Sequence, residues 1–371
     1  MPSGPPPPFS CSYSPNLPEL LAQLRCTIAL STFQAGKVIF VCPKDDETLA
    51  QLPRNFAKPM GIALNGDKMA IACLEEVLVL ANSPELAVHY PKRPNTYDAL
   101  FLPRTTYHTG QLDLHDLDWG DGDQLFAVNT SYSCIVQIGE NRSFTPVWQP
   151  PFISKLAPDD RCHLNGMALS EGRPKYATAF STTDVPRGWR KDLAGGVVME
   201  MGTNEMVARH LPMPHSPRLF DGGLYLLLSA SGELVKMDAA TGKYDVVARL
   251  NGFARGLCKY GDYVFVGLSK LRKRSAAFDN FKITGDTWQA GVAIVHLPTG
   301  ELFGEILYHG ALDEIYDVQI IPNYLRPGIL NKEKPEYKLA ITAPGLAHWA
   351  KPEGQQVGRQ VQIEEVKLDK Q

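Results

Sequence analysis

Residues 113–138 read DLHDLDWGDGDQLFAVNTSYSCIVQI, and this stretch decides the architecture. It parses as a short strand (His115 to Trp119), a Gly-Asp turn (Gly120 to Asp123), a second strand (Gln124 to Val128), a tight polar loop (Asn129 to Ser133) and a third strand (Cys134 to Ile138). Short apolar runs separated by Gly, Asp, Asn and Ser clusters are strand and hairpin signals. The same grammar returns in PMGIALNGDKMAIAC, LNGMALSEGRPKYATA, SPRLFDGGLYLLLS, ARGLCKYGDYVFVGL and YDVQIIPN. Aligned with one another, these segments put Gly61, Asp116, Gly166, Pro217, Gly256 and Asp317 in one column, at spacings of 55, 50, 51, 39 and 61 residues. Repeats of about 40–60 residues, each holding four short strands, mark a β-propeller. The chain is therefore expected to be all-β, a six-bladed β-propeller. Thr241-Gly242, Thr299-Gly300 and Asn251-Gly252 suit its hairpin turns.

The two ends of the repeat array are incomplete in complementary ways. TIALST, KVIFVC and LAQLPRNF near the N-terminus have no inner strand of their own, and the inner strand near Tyr316 has no clear partners after it. Strands from both chain ends are expected to share one blade, which closes the ring and removes exposed sheet edges. This divides the chain into a Pro-rich N-terminal arm (1–25), the propeller (26–350) and a C-terminal tail (351–371). Pro5–Pro8 favours polyproline II, and Asn16 to Leu24 has room for one short helix. YKLAITAP and VQIEEVKL either compete for the closing blade or form an extra flap. Long insertions fall at 84–112, between blades one and two, at 181–195, inside blade three, and at 270–288. Long loops within a compact fold tend to carry function.

Composition excludes several classes. A net charge of −3 gives no electrostatic footing for nucleic acid. No apolar run approaches the roughly 18–20 residues that span a membrane. MPSGPPPPFS lacks the basic and apolar regions of a signal peptide. Seven scattered Cys without a CxxC pair point to reduced thiols and a cytoplasmic protein. Asn129-Thr-Ser131 and Asn141-Arg-Ser143 match the glycosylation sequon and are expected to go unused in that compartment.

Propeller geometry then assigns candidates. The loop leading into each inner strand and the loop between second and third strands lie on one face. They supply Lys58, His115, His163, Asn165, His215, Arg255, Tyr316 and Asp317 from the first set. Asn129 to Tyr132, Ser181 to Arg190, Ser229 to Ser231, Ser269 to Arg274 and Thr342 to Pro344 come from the second. Polar groups from far-apart stretches would meet at the mouth of the central channel. His115, His163 and His215 lead into three successive blades and could hold a divalent metal such as Zn²⁺, Fe²⁺ or Mn²⁺, or serve with Asp317 as acid–base groups. The bland alternative is that each imidazole bonds a nearby carbonyl and locks a blade junction. Arg255 and Arg218 could clamp a carboxylate, or equally form inter-blade ion pairs. Asn129 and Asn165 could position a carbonyl or merely hold their own turns. Trp189 could cap the pocket, flanked by Gly188, Gly195 and Gly196 as hinges. Gly61, Gly166 and Gly256 are read as sites of close strand approach near the axis. No GxSxG elbow, P-loop, HExxH or paired-Cys site is present.

STFQAGKVIF, PMGIAL, LDLHDLDW, FAVNTSYSC, PPFISKLAPDDRCHLNGMAL, MPHSPR, GFARGL, VGLSKLR and DEIYDVQI occur in this order over about residues 27–322. Together they resemble a bacterial conserved-hypothetical family, a domain of unknown function whose members are thought to be propellers. The resemblance implies the fold and transfers no activity. More loosely, the pattern is similar to gluconolactonase-like, strictosidine-synthase-like and NHL-type propellers, where metal or acid–base groups sit at the channel mouth. The expectation is a propeller that binds a small molecule or peptide there. Clustered His, Arg and Asp would act on it in hydrolase- or lyase-like, metal-assisted chemistry. The alternative is a non-catalytic peptide- or protein-binding module.

Overall fold

KVIFVCP is apolar at nearly every position rather than at alternate ones, and Lys37–Pro43 is buried along its whole centre. A strand covered on both faces has this pattern, and the covering here comes from neighbouring sheets. The computed structural model describes residues 7–270, 288–310 and 312–351. Six antiparallel sheets stand around an axis. Their inner strands are Ile62–Asn65, Leu114–Trp119, Leu164–Ser170, Pro214–Phe220, Phe253–Tyr260 and Asp317–Pro322, in blades 1 to 6. The six-bladed all-β propeller expected from the repeats is the observed fold. Its ring closes as anticipated: Cys26–Thr32 pairs with Asp317–Pro322, in register from Cys26 opposite Pro322 to Ser31 opposite Asp317.

The core is divided into layers between blades. Val38 and Phe40 of blade 6 meet Ile62 and Met69 of blade 1. Phe126 and Ile135 of blade 2 meet Leu164 and Met167 of blade 3, and Leu227 and Leu234 of blade 4 meet Leu257 and Val264 of blade 5. Each fully buried side chain of this size contributes about 1.5–3 kcal/mol. With the apolar side chains placed between sheets, polar ones are left to face the axis.

The sequence misjudged the periphery. The 84–112 segment is not an inter-blade insertion. Ala99–His108 is the outer strand of blade 1, paired with Glu76–Asn82, and only the helix Pro84–Val88 and its flanks interrupt the blade. After Pro322 the chain adds Pro327–Ile329 to this sheet as a parallel edge strand. YKLAITAP contributes to a hairpin, Ala340–Ala343 with Leu346–Trp349. Its Trp349 indole donates to Leu86 O at 3.1 Å, so Thr342 lies beside the three-to-four connection of blade 1 and away from the mouth. VQIEEVKL and most of the 270–288 insertion, Arg274 included, lie outside the described residues. At the other end, Cys11–Tyr13 extends blade 5 by one strand, and helix Leu17–Gln23 buries Leu17, Leu20 and Leu21 between blades 5 and 6. No helix among the described residues is long and apolar enough to cross a membrane.

Around the axis the blades alternate in kind. Even blades present a side-chain acceptor to the next blade: Asp116 Oδ2 accepts from Met167 N at 3.0 Å, Ser216 Oγ from Gly256 N at 3.0 Å, and Asp317 Oδ2 from Ile62 N at 2.8 Å. Odd blades present glycine. A Cβ on Gly61 would lie 2.9 Å from Leu117 N, on Gly166 2.5 Å from Pro217 Cδ, and on Gly256 2.8 Å from Asp317 Cα. Hydroxyls repeat the alternation, with Ser31 donating to Met60 O, Thr130 to Leu164 O and Ser229 to Ala254 O at 2.5–2.6 Å. The ring is thus three two-blade units, with His115, His215 and Tyr316 at equivalent places 100 and 101 residues apart. The column residue of blade 4 is Ser216, not Pro217. A bulge between His215 and Arg218 displaces the alignment by one position.

Close approach, as read for the three glycines, is what these contacts show. At Gly256 a φ of +80° adds a backbone requirement. Gly256→Ala should therefore destabilise by roughly 3 kcal/mol or more, combining strain with a clash against backbone that has no room to move. Urea unfolding is the check, and a change below about 1 kcal/mol would show that blades 5 and 6 tolerate separation.

Candidate functional site

Four blades enter their inner strands through a left-handed residue: Lys58, Asp113, His163 and Met213, with φ of 49–55°. Non-glycine residues adopt this conformation at a cost that a fold must offset. Two positions further on stand Met60, His115, Asn165 and His215. The last three line one cavity together with Arg255, Tyr316, Asp116, Asp317 and Ser216. The cavity holds about 10 Å³, room for roughly one water-sized group.

Its lining is rich in groups with fixed hydrogen-bonding roles. His115 Nδ1 lies 3.1 Å from Asp113 O, and a carbonyl only accepts, so Nδ1 carries the proton. His215 Nδ1 lies 3.2 Å from Met213 O and 2.7 Å from Ser229 Oγ, whose own proton goes to Ala254 O at 2.6 Å. In both rings the neutral tautomer therefore leaves a lone pair on Nε2. Burial holds the His115 pKa below its ordinary value, with His163 and Arg255 pushing the same way and Asp113 opposing. Burial, then Arg255, keeps His215 well below it. Burial also holds the Tyr316 hydroxyl well above its ordinary pKa, so it stays a donor.

Among the described residues, three donors in this lining have no hydrogen-bond partner: Asn165 Nδ2, Arg255 Nε and Tyr316 OH. Asn165 Oδ1 accepts from Thr178 Oγ1 at 2.7 Å. Arg255 stacks on Tyr316, 4.0 Å from the ring centre, and its Nη2 meets the buried carboxylate of Glu314. Asn129 lies fully buried nearby, its Oδ1 accepting from Tyr132 N at 3.1 Å and its Nδ2 unpartnered.

Rings encircle the mouth. Tyr316 packs on Phe33 and His115, and His115 meets His163 edge to face at 4.9 Å. His163 stacks on Trp189 at 4.2 Å and on Phe180 at 4.6 Å; Phe180 reaches His215 at 4.8 Å, and His215 reaches Phe253 at 5.6 Å. Lys58 adds its ammonium over Phe33 at 5.2 Å. Every blade contributes to this belt.

Several expectations need correction. The three-histidine metal site does not form: among the described residues no three His, Cys, Asp or Glu side chains gather as a metal site. Phe180 stands between His163 and His215. His163 occupies the left-handed position three residues before its column, not the axial position that Asn165 takes, and it donates to Asp160 Oδ1 at 3.0 Å. Arg218 is no clamp for a ligand, because both of its Nη atoms engage Asp116, at 2.8 and 2.9 Å. Burial works against its charge, yet Asp116 outweighs burial and raises its pKa. Asp317 lines the cavity, but both its oxygens accept backbone N–H groups, from Ile62 and Val318. Its pKa is pushed up to about 7 by burial, with Asp116 adding and Arg218 opposing.

Trp189 forms a wall rather than a loose cap. Its indole donates to Asp160 Oδ2 at 2.8 Å, and Arg161 holds Asp184 of the same insertion at 2.6 Å. Gly188 and Gly196 there are close contacts, not hinges: a Cβ would lie 2.3 Å from Thr183 Oγ1 and 2.2 Å from Pro214 Cδ. The cysteines take no part, burial pushing Cys73, Cys134 and Cys162 up to about 12. Phe33, Phe180 and Phe253 were missed. Their signal was an aromatic residue at the end of a second strand or the start of an inner one.

A family model described as Domain of unknown function (DUF4915) matches residues 15–330. No protein with a curated description matches the chain. Among solved structures, a chain from the crystal structure of a nidogen/laminin complex superposes with a TM-score of 0.52 at 10% identity, over 80% of this chain and 99% of its own. A protein of unknown function from Bacteroides caccae gives 0.50 at 8% identity, over 80% and 98%. Likeness at such identities shows the fold alone.

Proposed function

The chain belongs to the DUF4915 family, and from that footing we propose that the channel mouth binds the polar end of one small molecule. A single observation carries this reading: unpartnered donors from blades 3, 5 and 6 converge on one cavity. A buried donor without a partner costs about 1–3 kcal/mol, and native folds keep few of them. Three around one recess is the signature of a place prepared for an acceptor. The aromatic belt supports the reading, since flat apolar surface can cover a ligand's body while the recess takes its polar end. A recess of this size suits a small molecule better than a protein loop.

A thermal-shift and fluorescence screen of chemically diverse small molecules is the test, with Trp189 at the rim as reporter. Hits should lose at least about tenfold in affinity in Tyr316→Phe or Asn165→Leu, the equivalent of one buried hydrogen bond. Hits that these variants leave unchanged, in proteins that still unfold cooperatively, would show that ligands bind elsewhere.

One observation favours a second, catalytic reading: the neutral His115 sits 5.4 Å, ring to ring, from a protonated Tyr316. This sets a base and an acid side by side. A hit that changes mass on incubation with the wild type but not with His115→Phe would support it. A hit recovered unchanged would confine the site to binding.

A further inference from the structure

We infer that the group recognised in the recess is a neutral carboxamide, its carbonyl oxygen and its N–H side by side, carried on a flat body. The inference rests on the binding reading above and adds the chemistry of the ligand to it.

The recess has two kinds of wall. Blades 3, 5 and 6 present donors: Asn165 Nδ2, Arg255 Nε and Tyr316 OH. Blades 2 and 4 present acceptors, the Nε2 lone pairs of His115 and His215, because each Nδ1 proton is committed to an oxygen behind it. A carboxylate would satisfy the donors and then set its own lone pairs against those of both imidazoles. An ammonium would satisfy the imidazoles and leave the donors facing a cation. A hydroxyl brings one proton for two imidazoles. A carboxamide brings an acceptor and a donor on the two sides of one carbon, which matches adjacent walls.

Charge decides in the same direction. Among the described residues, the two guanidiniums at the recess face carboxylates of their own, Arg255 with Glu314 and Arg218 with Asp116. Asp317 also lines the recess, and Asp118 follows Asp116 by two residues on the same inner strand, its pKa raised by burial. Among the described residues that line the recess or bond to its lining, these pairs leave no guanidinium without a carboxylate, so a carboxylate there would bring its charge toward Asp116 and Asp317. The volume of about 10 Å³ admits one heavy atom's worth of ligand, and the carbonyl oxygen is that atom. The rest of the ligand meets Phe33, Phe180, Trp189 and Phe253 at the rim, which favours an aromatic or otherwise planar body.

Benzamide and benzoate are nearly isosteric and serve as probes. Calorimetric titration of the full chain at neutral pH should show benzamide binding at least about tenfold tighter than benzoate, since a site built to donate and accept rejects the isostere that cannot reciprocate. His215→Phe should weaken benzamide and not benzoate, narrowing the gap. His115→Phe serves in its place if that variant fails to fold. Benzoate binding as tightly as benzamide, or neither binding, overturns the amide assignment. The binding site itself falls only if the wider screen yields no ligand sensitive to Tyr316→Phe, so the two failures are distinct.

Discussion

Asp116→Ala should destabilise the protein by about 3–5 kcal/mol, the cost of stranding a buried charge. The carboxylate holds Arg218 with both oxygens, at 2.8 and 2.9 Å, and also accepts Met167 N from the next blade at 3.0 Å. Its loss leaves a guanidinium without a counter-charge near the axis and a backbone N–H without a partner. Removing both charges in Asp116→Leu with Arg218→Leu should restore much of the loss, because a buried pair is commonly replaceable by apolar groups of similar size. Urea unfolding of Asp116→Leu, of Arg218→Leu and of the double gives the coupling directly. A single variant within about 1 kcal/mol of wild type would mean that the ring is held elsewhere.

The second large effect is a dependence of stability on pH centred on Asp317. Its folded pKa is about 7, while an unfolded Asp titrates near about 3.9. Between these values the folded chain keeps a proton that the unfolded chain has released. Asp317 therefore favours folding most below about pH 4, and its contribution falls as pH rises toward 7 and is level above it. The slope approaches about 1.4 kcal/mol per pH unit for one full proton. Asp317→Asn lacks this proton. The stability of wild type relative to the variant should decline steadily from pH 4 to 7 and then run parallel. Parallel curves across the whole range would place the Asp317 pKa near its unfolded value. His115 and His215 add an opposite trend. Held neutral when folded, they weaken folding only as pH falls toward and below their unfolded value of about 6.5, and this background is common to both proteins.

Legibility in the sequence tracked the reach of each physical signal. Strand period and turn residues are local, so the inner strands from Ile62 to Asp317 and their count were legible. Ring closure was legible too, because each chain end lacked what the other supplied. The outer strand Ala99–His108 was not. It comes after a helix and a loop that break the spacing, and its Pro103 reads as an interruption. The roles of the site residues depended on offsets of one or two positions. His163 resembles His115 and His215 in sequence, yet it sits at the left-handed turn, and Asn165 takes the axial place. A bulge beside His215 hid Ser216 behind Pro217 in the same way. Arg218 and Arg255 were equal candidates by composition. Only the positions of Asp116 and Glu314, fixed by other blades, separated a bidentate internal bridge from a guanidinium that still has an N–H to offer.

The pairing of Cys26–Thr32 with Asp317–Pro322 has a consequence for biogenesis. On the ribosome the first of these strands emerges almost three hundred residues before the second. At about 5–20 residues per second, that edge waits on the order of 15–60 s for its partner. Throughout that interval the nascent chain offers one unsatisfied edge of Cys26–Thr32 to anything that can pair with it.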